Sequence, residues 1–126
     1  MKKLLMALGL LTSSIAAPAM ILVQPAMAAT TLSKLGDLSG MRKIVADTLV
    51  LVEAGKTQDA VKRITDYETA WDHNAKKLRK LDSATWRKLD EASDVALSTV
   101  RYPSATPDEM KKDLSDLIAV LDNPSL

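Results

Sequence analysis

Between residues 39 and 121 the apolar positions recur at alternating steps of three and four, the spacing that lines up side chains along one face of an α-helix. No segment alternates with a period of two, so no strand is expected. The pattern divides into four helices. The first is expected over 39–54, with Met41, Ile44, Val45, Thr48, Leu49 and Val52 on one broad face and Gly55 as its terminating residue. The second begins after Thr57 and runs to about Lys80 along a seam of Val61, Ile64, Glu68, Trp71, Ala75 and Leu78. Asp82 and Ser83 offer a cap for a third helix over 84–101, whose seam is Trp86, Leu89, Ser93, Ala96 and Val100, widened by Leu97. Tyr102-Pro103 ends it. The fourth has the strongest start signal: Thr106 as cap, Pro107 at the first helical position and Glu109 reaching back to complete a capping box. Met110, Leu114, Leu117, Ile118 and Leu121 then face inward, and Asn123-Pro124 stops the helix.

Links of only a few residues make consecutive helices antiparallel neighbours. The expected fold is therefore all-α, an up-down-up-down four-helix bundle. Residues 51–60 also have the helix, glycine turn and helix start of a helix-pair repeat. Such repeats need at least about three stacked units to bury a continuous face, and this chain has room for fewer.

The amino end carries a different pattern. Lys2 and Lys3 precede the apolar run 4–11, and small residues at Ala26 and Ala28 close the stretch, which is the layout of a secretory signal peptide cleaved after Ala28. Residues 4–23 are almost continuously apolar and long enough for a membrane anchor, which needs about 20 such residues, but Pro18 and the polar Thr12-Ser13-Ser14 interrupt them. The expected organisation is a signal peptide over 1–28, a flexible entry segment over 29–38 and a helical domain over 39–126. The short leader is bacterial in style and predicts a periplasmic protein with no stable membrane span after cleavage. Removing Lys2 and Lys3 from 17 basic residues leaves 15 against 16 acidic ones, a net charge of −1. Such a balance supplies no global field for nucleic acid or an anionic membrane. With no cysteine, the domain is held by packing alone.

Candidate chemistry concentrates in the second and third helices. Residues 66–73 gather Asp66, Tyr67, Glu68, Trp71, Asp72 and the only histidine, His73. Helical phase turns Asp66 and His73 to solvent. Glu68 falls on the seam, where a carboxylate must find donors or be protonated. It is expected to join a small buried polar network with Lys43, Thr65 or Ser93 that sets helix register, with a ligand site as the alternative. Trp71 and Trp86 are expected to fill the core between facing seams, each indole N–H meeting an acceptor. Asp90, Asp94 and Arg101 are expected to form surface ion pairs. Lys76, Lys77, Arg79 and Lys80, joined across the turn by Arg87 and Lys88, form a basic cluster at a helix C-terminus. It suits helix-dipole compensation and solubility, or docking of an acidic partner or lipid headgroups.

A metal or other cofactor is not expected: the di-iron pattern needs Glu-x-x-His on two helices, and Met41 and Met110 are too few and too separated for a copper cluster. His73 and Lys76 in a His-x-x-Lys arrangement resemble histidine phosphotransfer domains, but those have a small residue, usually Gly, where this chain has Lys77. No nucleophile has an evident base, so an enzyme is not expected. The run Asp-x-Glu-x-Ala-Trp-Asp at 66–72, with Trp86-x-x-x-Asp90 and Arg101, resembles small exported helical-bundle proteins of bacteria that have no established activity. That resemblance implies one linked cluster of Glu68, Trp71, Asp72, Trp86 and Asp90. The expected function is a non-catalytic binding or accessory protein of the cell envelope, its partner an envelope protein or a small ligand. The alternatives are a sensory or scavenging module that takes a metal or cationic small molecule at that cluster, and a structural envelope protein without a ligand.

Overall fold

A computed structural model of the chain describes residues 34–124; the expected leader and residues 29–33 of the entry segment lie outside the described residues. Four helices follow one another: α1 (Ser39–Glu53), α2 (Thr57–Leu81), α3 (Ser83–Arg101) and α4 (Pro107–Asp122). α1 packs against α2 and α4, and α3 completes the ring against the same two helices, as an up-down-up-down bundle requires.

Local signals set the helix ends. After α1, Gly55 takes φ +72°, its N–H bonds to the Val52 carbonyl at 3.0 Å, and the Lys56 N–H reaches the Leu51 carbonyl at 2.9 Å. This is a Schellman closure, and the left-handed backbone it needs is open to glycine at no steric cost. The Asp82 carboxylate accepts from the Thr85 N–H at 2.9 Å at the start of α3. That hydrogen bond, more than the Lys34 ammonium 3.8 Å away, holds the Asp82 carboxyl below the usual carboxylate range. Both halves of the α4 capping box form, Thr106 accepting from Glu109 N–H and Glu109 accepting from Thr106 N–H. Replacing Thr106 with alanine is expected to lower stability by about 1 kcal/mol in thermal denaturation, because it leaves a helix N–H without its acceptor.

The core runs the length of the ring. Val45, Val52, Ile64, Tyr67, Leu89, Ala96, Val100, Leu114 and Leu117 are among its buried residues. Leu35 and Leu38 are also buried, at 2% and 5% exposure, so the end of the segment expected to be a flexible entry is part of the packed structure. α2 is ten residues longer than α1, 25 against 15. With a short link at the other end, α1 starts beside Trp71, and the last ten residues of α2 overhang it by about 15 Å. Leu35 and Leu38 cover part of this ledge.

Candidate functional site

α2 and α3 carry all the candidate site residues, and the structure sorts them differently from the periodicity. The buried positions of α2 are Ala60, Ile64, Tyr67, Trp71 and Leu78. Glu68 is thus not on the seam: it is half-exposed, and its partner is Arg101 on the surface between α2 and α3. Arg101 also donates to Thr65 Oγ1 at 3.1 Å, so this guanidinium ties two turns of α2 to the end of α3. The correction has a simple cause. Steps from Ile64 through 67 or through 68 both reach Trp71, and burying a tyrosine with a hydroxyl partner costs far less than burying a carboxylate.

A buried polar contact between α2 and α3 does exist, centred one residue earlier. Tyr67 is fully buried, and its hydroxyl lies 2.7 Å from Ser93 Oγ, which is also buried. The Ser93 hydroxyl donates its one hydrogen to the Leu89 carbonyl at 2.7 Å, so the Tyr67 O–H is the donor to Ser93. Burial, with a smaller contribution from the Asp90 charge, pushes the Tyr67 hydroxyl above the usual phenol range. An amphipathic aromatic three residues after Ile64 and four before Trp71, facing a seam serine, was the sequence signal for this pair.

Trp71 is 5% exposed and belongs to the core, whereas Trp86 is half-buried and Thr85 takes the inward position beside it. The two indoles stack with centroids 6.2 Å apart and planes 12° from parallel, and the Arg79 guanidinium lies 5.4 Å from the Trp86 ring centroid. Both are favourable arrangements. Among the described residues, however, no acceptor reaches the buried Trp86 Nε1, contrary to the expectation that each indole N–H would be paired.

The linked cluster implied by resemblance therefore divides. Trp71 and Trp86 are joined by stacking, Glu68 is engaged with Arg101, and Asp72 is exposed. Asp90 is half-buried near Tyr67 and Asp94. Asp94 is exposed, yet slight desolvation by its neighbours, and then the charge of Asp90, hold its carboxyl above the ordinary range. Arg101 bonds across to α2 and not to these aspartates. His73 and Asp66 are exposed, as their helical phase predicts. Among the described residues no group of three or more His, Asp or Glu side chains is placed to hold a metal ion.

The basic cluster is a different kind of surface. Lys76, Lys77, Arg79, Lys80, Arg87 and Lys88 are all exposed around the α2–α3 turn, and Leu81 stands among them at 53% exposure. Arg42, Lys43, Arg63, Arg101, Lys111 and Lys112, elsewhere on the bundle, each lie against a carboxylate. Lys76, Lys77, Lys80 and Arg87, like Lys56 and Lys62 in the first half of the domain, have no ion pair among the described residues, and Arg79 turns to an indole; what sets the turn apart is that its cations are clustered. Compared with protein-family models, with curated proteins and with solved structures, the chain matches none.

Proposed function

We propose that this is a non-catalytic accessory protein of the bacterial cell envelope, exported to the periplasm, that docks on an anionic lipid surface through the basic end of its bundle. The observation that supports this is the cluster of exposed cations around exposed Leu81, of which Lys76, Lys77, Lys80 and Arg87 have no ion pair among the described residues, in a chain whose total charge nearly cancels. Each lysine or arginine near an anionic lipid surface contributes about 1 kcal/mol, so six on one end suffice for reversible docking without any spanning segment. Leu81 favours a lipid surface over an acidic protein, because an apolar side chain ringed by cations fits the boundary between headgroups and acyl chains. Among the described residues no helix is long and apolar enough to cross a membrane. Capture of a metal or cationic ligand at Glu68 and Trp86 has less support, since Arg101 and Arg79 already occupy those groups.

Co-sedimentation with vesicles of equimolar phosphatidylglycerol and phosphatidylcholine tests this proposal. The protein is expected to be retained at about 50 mM salt and released towards about 0.5 M, as screening shortens the reach of its charges. Changing the six cations to glutamine should abolish retention while helix content is unchanged. Retention that survives either treatment, or none at low salt, overturns the proposal; selective low-salt binding to an acidic protein in place of vesicles would move the docking partner to protein.

A further inference from the structure

The ledge left by the short α1 forms a cleft of about 510 Å³, with Met41, Ile44, Ala70, Leu78 and Leu81 in its walls and Lys77 lining it. That volume lies within the range of about 300–1,000 Å³ typical of small-ligand sites. Its walls are mainly apolar, and the charged group they share with the basic end is Lys77, an exposed ammonium with no ion pair among the described residues. Lys76 and Lys80 flank Lys77 along α2, and both are exposed. The one acid in the lining, Asp37, directs its carboxylate to the Ser39 N–H at 2.9 Å, where it serves the start of α1.

We infer that this cleft binds one molecule of a long-chain carboxylate, with the alkyl chain along Ile44, Leu78 and Leu81 and the carboxylate on Lys77. An apolar trough with an ammonium lacking an ion pair in its lining complements a ligand with one apolar arm and one negative end, and a charge-assisted hydrogen bond to the ammonium would fix its direction. A second copy of the chain fits less well. A two-fold contact over this cleft would bring the Lys76–Lys80 region of both copies together, placing like charges side by side. The inference rests on the same basic end as the docking proposal, but it concerns a single soluble ligand and not a lipid surface.

Gly40 gives a variant that separates the two. It lies in the cleft wall four residues before Ile44, and a Cβ added there meets nothing within 4 Å. Its φ is not in the left-handed region, so Gly40→Leu introduces no backbone strain and favours the helix, and it is expected to reduce the open volume of the cleft it lines. Calorimetric titration with dodecanoate below its micelle concentration, using the protein purified after expression of the full chain, should show saturable binding at one site. Gly40→Leu is expected to weaken it at least about tenfold with an unchanged or higher melting temperature and unchanged vesicle retention, and Lys77→Gln by about tenfold, the loss of one charge-assisted contact. Dodecanol and dodecyltrimethylammonium should bind at least about tenfold more weakly than dodecanoate. Absent or non-saturable binding, equal binding of the three probes, or binding unaffected by Gly40→Leu overturns the inference. So does a dimer in sedimentation equilibrium that Gly40→Leu dissociates while dodecanoate has no effect, which would assign the cleft to a second copy. Loss of vesicle retention in the six-residue glutamine variant bears on docking alone.

Discussion

Replacing Tyr67 with alanine is expected to lower the unfolding free energy by about 3–5 kcal/mol in urea denaturation, the range for removing a buried aromatic ring. For a domain of this size that is a large part of the total, since stabilities of about 5–15 kcal/mol are usual. The ring fills the centre of α2 at 0% exposure, and its loss also removes the donor to Ser93. Tyr67→Phe divides the two effects: the ring stays, Ser93 still donates to the Leu89 carbonyl, and the loss should fall to about 1 kcal/mol. A second signature is in alkali. The folded-state Tyr67 hydroxyl binds its proton more tightly than in the unfolded chain, chiefly through burial. The stabilisation is therefore complete below the unfolded-state value of about 10 and declines as pH rises above it towards the higher folded-state value. Tyr67→Phe should show a shallower alkaline loss than the parent. Parallel stability curves between about pH 9 and 11 would place the hydroxyl in water instead.

Trp71→Ala should be as severe, about 3–5 kcal/mol in the same assay, because it empties a core position and strips Trp86 of its stacking partner. Trp86→Phe should stay within about 1 kcal/mol of the parent. The smaller ring gives up some stacking and its contact with Arg79, but it also removes an N–H that is buried without an acceptor, and those effects oppose one another. A loss above about 2 kcal/mol for Trp86→Phe would show that the indole N–H does have a partner. The contrast matters for function as well as stability, because Trp86 and Arg79 sit at the base of the basic end while Trp71 supports the helices beneath it. Trp86→Phe is expected to leave vesicle retention unchanged.

The four helices, their order and nearly every boundary were legible from the chain, because their signals are local. A cap, a glycine closure or an amphipathic period is written within a few residues of where it acts, as at Asp82, Gly55 and the Thr106–Glu109 box. The basic cluster was equally legible, since its six members lie within thirteen residues of one another. Burial at 67 or 68 was not. Both choices keep the rhythm between Ile64 and Trp71, and which residue goes inside depends on how α1 and α3 close over α2, a sum over contacts distant in the chain. The same holds for Arg101, whose partners Glu68 and Thr65 lie more than thirty residues away. Leu35 and Leu38 have too few apolar neighbours in sequence to announce a buried role, and they gain one because α2 outlasts α1 and leaves a greasy ledge to be covered. Helix lengths are local properties; the cleft at Lys77 exists only because unequal lengths are brought side by side.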